Sequence, residues 1–229
     1  MPPESWHLLE SGPGPTPLNM AWDEVLLENV SSLAAPVLRF YAWEEPAASF
    51  GYFQRHADVA RMTPLRPLVR RPTGGGLVPH DADWTYSLVF PPGHAWYGLR
   101  AEESYRQLHE WVQAALNLAG AKTDLSPCCA KELPGQCFAG PEKHDLLLGG
   151  RKVAGAAQRR AKHGLLIQGS IQPRPPGMVR GAWERGFLDS AIQRWGVEWR
   201  PLPGMNSLAT LAAELSARKY AQASHNEKR

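Results

Sequence analysis

Residues 70–81 place charged side chains on both sides of three consecutive glycines. Gly74–Gly76 carry no Cβ atoms, so a ligand can lie against their backbone N–H groups, and positive φ angles are allowed there. The pair Arg70–Arg71 precedes the glycines and His80 follows them. The spacing matches neither the Walker A pattern nor the dinucleotide-binding fingerprint. The segment predicts a ligand-binding loop, while a flexible hairpin loop is the simpler explanation of three glycines taken alone.

A cysteine and a lysine further along the chain are of the types used in acyl transfer. Lys152 follows the pair Gly149–Gly150 and precedes small residues, among them Gly155 and Ala156, that leave room for a ligand. A lysine beside a carbonyl group or a thiol acts as a point positive charge. Cys137 lies fifteen positions before the lysine, and a neighbouring cation would increase the nucleophilic thiolate fraction of its thiol. A solvated surface lysine and a packed cysteine remain the alternative interpretations.

The sequence contains three cysteines, of which the other two are Cys128 and Cys129. An odd number of cysteines in a chain with no readable export signal argues against a disulfide framework. The three lack standard zinc-ligand spacing and no paired histidines follow them, so we predict no metal site. We expect packing roles for Cys128 and Cys129. His80 alone is more often structural than catalytic, and no Ser-His-Asp order is readable.

The composition is that of a globular protein, since 43% of the 229 residues are hydrophobic and 21% are charged. A net charge of +3 without a clustered basic face argues against nucleic-acid binding. No apolar run approaches the roughly 20 residues that cross a bilayer, and no secretory signal is readable, so we expect a cytoplasmic location. No repeat or low-complexity linker divides the chain, which predicts one domain over residues 1–229.

Hydrophobic periodicity and turn residues predict a mixture of strands and helices. Predicted strands cover residues 6–10, 37–43, 48–53, 68–71, 84–90 and 165–171, with a hairpin at 145–155. One helix is predicted to begin with Asn19 as its N-cap. Further helices are predicted at residues 101–119, 183–194 and 208–220. Residues 126–141 are predicted to form a loop, and residues 225–229 a frayed C-terminal end. These elements indicate an α+β protein.

Ordered blocks between residue 19 and about residue 171 resemble the lipoate–protein ligase A and octanoyltransferase families, whose catalytic domain is shared with biotin protein ligases. The blocks are residues 19–24, 38–54, 70–76 together with 80–81 and 85–87, and 152–159. The resemblance implies an α+β fold of the biotin/lipoate protein ligase catalytic-domain type, with a mixed, largely antiparallel sheet flanked by helices and an acyl tunnel. It implies acyl- or substrate-binding roles for Arg70, Arg71, Thr73, Gly74, Gly75, Gly76, His80, Gly155 and Ala156.

Within that superfamily, Cys137, Pro141 and Lys152 resemble the ligase-like octanoyltransferase branch, which uses a cysteine a short way before the motif lysine. The resemblance implies that the Cys137 thiolate takes an octanoyl group from acyl carrier protein and that a lysine of a lipoyl-domain protein then receives it. The acceptor would be the glycine cleavage H protein or the E2 subunit of a 2-oxoacid dehydrogenase. Lys152 would favour the thiolate and polarise the thioester carbonyl. Neither ATP nor a metal is required by this scheme, and we expect a monomer.

The sequence leaves other functions open. An ATP-dependent lipoate–protein ligase would use ATP and magnesium, and would tolerate the loss of Cys137 but not of Lys152. A lipoyl-domain amidotransferase would move the acyl group between proteins through a cysteine, and a non-catalytic acyl-binding protein would keep only the fold. Three features depart from the octanoyltransferase branch: Gly76 gives the loop the form common in ligases, Cys137 is followed by Phe-Ala-Gly-Pro, and the chain is shorter than typical members.

Overall fold

The computed structural model describes residues 3–130, 133 and 135–228. The strands in this part of the chain are β1 (Glu4–Gly14), β2 (Val37–Trp43), β3 (Ala47–Phe50), β4 (Leu68–Arg70), β5 (Val78–His80), β6 (Trp84–Phe90), β7 (Asp124–Leu125), β8 (Leu146–Leu148), β9 (Arg151–Ala161), β10 (Gly164–Ile171) and β11 (Val197–Pro201). The helices are α1 (Thr16–Leu33), α2 (His56–Met62), α3 (Ala95–Gly98), α4 (Ala101–Leu118), α5 (Arg180–Trp195), α6 (Met205–Leu215) and α7 (Ala223–Asn226), with a π-helical turn at Ser216–Tyr220. Within the described residues, no helix is both long and apolar enough to cross a membrane.

A large sheet contains strands in the order β11-β1-β2-β6-β10-β9-β8-β7. Strand β1 pairs in parallel with both β2 and β11. The remaining neighbours, from β2 to β7, pair antiparallel. The sheet is therefore mixed and largely antiparallel, which confirms the expected fold class.

Helices cover both faces of this sheet. Because successive side chains of a strand point to opposite faces, Leu38 and Phe40 of β2 join one buried cluster, with α4 and α5, and Val37 and Tyr41 join another, with α1 and α6. Because both faces are covered, almost every residue of the central strands β2, β6 and β10 is buried, including the polar residues Arg39, Ser87 and Gln168.

A smaller sheet, β4-β3-β5, holds the two ends of the glycine loop. Strand β3 pairs in parallel with β4, which precedes the loop, and antiparallel with β5, which follows it. Strand β3 ends at Phe50, earlier than the predicted end at residue 53. At Gly51 the backbone turns against the loop so closely that a Cβ atom there would lie 1.9 Å from the Gly75 carbonyl oxygen.

The hairpin predicted at residues 145–155 is confirmed. Gly149 and Gly150 connect β8 to β9 with φ angles of 56° and 80°, the backbone that a two-residue type I′ turn requires. The prediction of Asn19 as an N-cap is wrong. Helix α1 already begins at Thr16 with a proline in its first turn, and the Asn19 amide donates instead to the carbonyl oxygen of Ala42 at 2.8 Å.

The predicted frayed end at residues 225–229 does not hold for the residues that the structure describes there. Residues 223–226 form α7, and the side chain of His225 is buried. The carbonyl oxygens of His225 and Asn226 accept hydrogen bonds from the Arg70 guanidinium at 3.2 and 2.8 Å. Arg229 lies outside the described residues. A buried arginine in β4 therefore holds the C-terminal segment against the small sheet.

Candidate active site

A cavity of about 630 Å³ lies among the small sheet, strands β6, β9 and β10, and the first turns of α4. Its size is within the range of sites that bind small molecules or acyl groups. The predicted site residues that line it are Arg71, Gly74, Gly75, Gly76, His80, Cys137, Lys152, Gly155 and Ala156.

The glycine loop is wrapped around the Arg71 guanidinium. Nη2 of Arg71 donates to the carbonyl oxygens of Gly74 and Gly76 at 2.6 and 2.7 Å. Gly75 has a φ angle of 86°, and a Cβ atom there would lie 2.8 Å from Arg71 Nη2. Glycine is therefore required at position 75 both by the backbone conformation and by the contact with the arginine.

Cys137 is placed beside this loop by backbone pairing. Leu77 donates its N–H to the Gly135 carbonyl at 2.7 Å, and Cys137 donates its N–H to the Leu77 carbonyl at 3.0 Å. The Cys137 sulfur accepts a hydrogen bond from the N–H of Gly76 at 3.0 Å. A Cβ atom on Gly76 would lie 2.5 Å from the Gly135 carbonyl oxygen, so this approach also depends on glycine.

Arg71 brings positive charge to the Cys137 sulfur. Its Nη2 atom lies 4.0 Å from Sγ, and its guanidinium is buried. Burial lowers the pKa of Arg71 from its ordinary value, while interaction with Cys137 opposes that shift. An arginine nevertheless stays protonated in proteins. A backbone N–H and a buried cation at one sulfur can stabilise a thiolate.

Lys152 has partners other than the sulfur that we expected it to serve. Its Nζ atom donates to the carbonyl oxygen of Cys137 at 2.6 Å and forms an ion pair with Asp145 Oδ2 at 2.6 Å. The Lys152 side chain is only 5% exposed and that of Asp145 is fully buried. These two contacts position the ammonium group beside the Cys137 segment. They use two of the three N–H donors of the lysine.

Tyr105 of α4 completes the environment of this ion pair. Its hydroxyl donates to Asp145 Oδ1 at 2.5 Å and accepts from the N–H of Ala156 at 3.3 Å. Burial, together with the Asp145 carboxylate, raises the pKa of Tyr105 well above its ordinary value, so the hydroxyl remains a donor. Gly155 leaves the space that Lys152 occupies, since a Cβ atom there would lie 2.8 Å from Nζ.

Two predicted binding residues do not line the cavity. Arg70 donates to the carbonyl oxygens of Tyr52 and Gln54 at 2.8 and 2.7 Å, besides its bonds to the C-terminal segment. Arg70 thus contacts the backbone of these segments and is not among the residues that line the cavity. Thr73 supports Arg71 from behind: its hydroxyl accepts from Arg71 Nε at 3.1 Å and donates to Gln168 Oε1 at 2.7 Å.

Gln168 connects Thr73 to the first helix. This connection was not predicted from the sequence. The Gln168 Nε2 atom donates to Asp23 Oδ2 at 2.7 Å. Asp23 is fully buried and also pairs with Arg39 at 2.9 Å. Hydrogen bonds therefore run from α1 through Gln168 and Thr73 to Arg71, and they restrict the position of the guanidinium.

His80 is held by two neighbours that the sequence analysis did not identify. Its Nδ1 atom lies 2.8 Å from Asp83 Oδ2, and its Nε2 atom lies 2.8 Å from Ser49 Oγ. Its ring stacks on Trp43 with centroids 3.9 Å apart. No Ser-His-Asp order was readable in the sequence, yet the fold brings Ser49, His80 and Asp83 into one hydrogen-bonded row. The His80 and Asp83 spacing was a readable signal, but Ser49 comes from another strand and carried none.

Within the described part of the chain, no group of three or more His, Cys, Asp or Glu side chains could hold a metal ion. Cys128 and Cys129 are exposed, unlike Cys137. The expected packing role of the first two cysteines therefore has no support in their burial.

Residues 15–173 match the family model described as the lipoyl protein ligase A/B catalytic domain. The match covers more than half of the chain, and the chain belongs to this family. An octanoyltransferase LipM from Moorella thermoacetica is 37% identical over 181 residues, which cover 75% of this chain and 66% of that protein. The octanoyltransferase LipM of Halalkalibacterium halodurans is 35% identical over 214 residues, covering 82% of this chain and 78% of that protein. The chain thus spans about two thirds to three quarters of these two relatives.

Solved structures share the whole fold. The T. acidophilum protein Ta0514 with bound lipoic acid superposes with a TM-score of 0.78 at 22% identity, covering 99% of both chains. A lipoate-protein ligase A bound with ATP gives a TM-score of 0.78 at 22% identity and covers 98% of both chains. At this identity the likeness establishes the fold of the lipoate ligase catalytic domain.

Proposed function

We propose that this protein is an octanoyltransferase, which moves an octanoyl group through a Cys137 thioester to a lysine of a lipoyl-domain protein. The observation that carries the proposal is the environment of the Cys137 sulfur in the cavity wall, with the Gly76 N–H at 3.0 Å and the Arg71 guanidinium at 4.0 Å. The relatives named octanoyltransferase LipM support the same reaction.

In the first step, the Cys137 thiolate attacks the carbonyl carbon of octanoyl–acyl carrier protein. The new S–C bond forms, the carrier's C–S bond breaks, and the carrier leaves as a thiolate that takes a proton from water. Arg71 and the Gly76 N–H stabilise the attacking thiolate. Lys152, two of whose three donors are used by Asp145 and the Cys137 carbonyl, directs the third to the developing oxyanion.

In the second step, the amine of an acceptor lysine attacks the octanoyl-Cys137 thioester. We propose a lipoyl domain of the glycine cleavage H protein or of an E2 subunit as acceptor, with the protein working as a cytoplasmic monomer. An archaeal bi-partite lipoate protein ligase has been studied with its E2 lipoyl domain, which is consistent with an acceptor of that kind. The scheme uses neither ATP nor a metal ion.

The test is the intact mass of the protein after incubation with octanoyl–acyl carrier protein in the absence of ATP. We expect a covalent octanoyl adduct that hydroxylamine removes and that Cys137→Ala does not form. Cys128→Ala, which changes an exposed cysteine, is the matched control and should form the adduct normally.

Other outcomes would replace the proposal with a specific alternative. An absent adduct combined with ATP-dependent acylation of a lipoyl domain from free octanoate or lipoate would establish a ligase. An adduct that forms only from an octanoylated lipoyl domain would establish an amidotransferase. Binding of octanoate without any transfer would leave an acyl-binding protein.

A further inference from the structure

The side chains of Ser49, His80 and Asp83 form a hydrogen-bonded row with the imidazole ring in the middle. The Ser49 hydroxyl and the Asp83 carboxylate lie on opposite sides of the imidazole ring, each 2.8 Å from a ring nitrogen. All three residues are buried, and Ser49 and His80 line the same cavity as Cys137. The order is that of a Ser-His-Asp triad.

The protonation of the row follows from its partners. The Asp83 carboxylate can only accept hydrogen bonds, and it also accepts one from the Ser170 hydroxyl at 2.8 Å. In the neutral imidazole, Nδ1 then carries the proton and Nε2 accepts from the Ser49 hydroxyl. The stacked ring of Trp43 fixes the imidazole plane. His80 is therefore arranged to take a proton through Ser49.

Arg71 connects this row to the reacting sulfur. Its Nη1 atom donates to Ser49 Oγ at 3.4 Å and to the Ser49 carbonyl at 3.2 Å, while its Nη2 atom lies 4.0 Å from Cys137 Sγ. The serine hydroxyl and the sulfur thus flank one guanidinium group. Ser49 and Cys137 line the same cavity, in which an acceptor amine would approach a thioester on Cys137.

We propose that Ser49, His80 and Asp83 form the proton relay of the second step, an inference that rests on the proposed transfer through Cys137. A lysine amine has a pKa of about 10.4 and arrives mostly as an ammonium ion, which is not a nucleophile. The ammonium gives one proton to Ser49 Oγ as Ser49 gives its own to His80 Nε2. The positive charge of Arg71 disfavours the ammonium form and assists this release.

The remaining bond changes complete the transfer. The neutral amine attacks the thioester carbonyl, the N–C bond forms, and the C–S bond to Cys137 breaks. The second proton of the nitrogen passes to the departing sulfur, which leaves as the thiol, and His80 returns its proton to water. Ser49 is the catalytic residue that meets the acceptor, and Asp83 is a positioning residue that fixes the His80 tautomer.

The test separates loading of Cys137 from its discharge. Octanoyl-Cys137 protein is prepared, freed of donor, and followed by mass in a single turnover with either a lipoyl-domain protein or hydroxylamine. Hydroxylamine is uncharged at neutral pH and needs no proton removed before it attacks. For Ser49→Ala and His80→Gln we expect normal loading, transfer to the lysine slowed by about 100-fold or more, and unchanged discharge by hydroxylamine.

Matched controls are Ser190→Ala and His94→Gln, which change a buried serine and a half-buried histidine that do not line the cavity. Both should transfer at the wild-type rate. Wild-type transfer in Ser49→Ala and His80→Gln would overturn the relay, as would an equal slowing of the lysine and hydroxylamine reactions, which would indicate a distorted thioester. Failure of the wild-type protein to load at all would instead refute the transfer through Cys137 and the relay with it.

Discussion

Individual residues of the site are held by buried charge pairs, so their chemical and structural contributions must be separated. Lys152 and Asp145 are 5% and 0% exposed and lie 2.6 Å apart. Removing one partner of a buried pair leaves the other charge uncompensated, which costs about 3–5 kcal/mol of stability. Loss of activity after substitution of Lys152 would therefore have two causes.

A paired substitution distinguishes them. We expect Lys152→Met to lower the free energy of unfolding by about 3 kcal/mol, and Lys152→Met combined with Asp145→Asn to restore most of it. Both variants should form the octanoyl adduct about 100-fold more slowly or worse, because the donor to the carbonyl oxygen is absent from both. Urea unfolding and single-turnover mass measurements give the two quantities. Wild-type adduct formation by the double variant would reduce Lys152 to a structural partner.

Some residues of the site could be recognised from the sequence and others could not. The glycine loop, Cys137 and Lys152 were recognisable because each lies in a compact sequence block, and all of them line one cavity. Ser49, Gln168 and Asp145 were not recognised, because their partners lie on other elements that only the tertiary fold brings near. Arg71 illustrates the limit: its adjacency to Arg70 in the sequence hid the fact that the two side chains serve different purposes.

Secondary-structure elements were predictable where burial and turn chemistry agreed. Strand β2 has the predicted bounds of residues 37–43, and the turn of the β8–β9 hairpin was indicated by its two glycines. Element ends were missed where a tertiary contact decided them, as at Gly51, whose backbone must approach Gly75. Helix α4 also buries a histidine, His109, among hydrophobic residues.

Acid should destabilise the packing of α4 through His109. Burial lowers the pKa of His109 from 6.5 to about 4. Between these values the unfolded chain binds a proton that the folded protein does not, so stability present above pH 6.5 is lost as the pH falls towards 4. The expected loss from this residue between about pH 7 and about pH 5 is about 2 kcal/mol.

We expect His109→Met to show a correspondingly smaller difference between its unfolding free energies at the two pH values, measured by urea titration. Comparing each protein with itself removes any packing cost of methionine. Gln107→Met, which changes a residue of α4 that does not titrate, is the control and should keep the wild-type pH dependence. An identical pH dependence in wild-type and His109→Met proteins would contradict the prediction.

At the scale of the whole molecule, the segments at both ends of the described chain pack against the sheets. Strand β1 lies between β2 and β11 in the large sheet, and α7 docks on β4 through Arg70. Composition alone suggested a frayed end, because a polar tail gives no sign that its backbone carbonyls will satisfy a buried arginine. The two neighbouring arginines therefore have different roles. Arg70 joins the C-terminal segment to the small sheet, and Arg71 faces the cavity.

This division predicts different results for the two arginines. Arg70 is fully buried and donates to backbone carbonyls of residues 52, 54, 225 and 226, so Arg70→Met should cost at least about 3 kcal/mol of stability. Amide hydrogen exchange should accelerate in residues 221–228, while octanoyl adduct formation per folded molecule stays unchanged. Arg71→Met should instead abolish the adduct and leave exchange in the C-terminal segment as in the wild type. If Arg70→Met lost the adduct with its C-terminal exchange unchanged, Arg70 would bind substrate, as its sequence motif first implied.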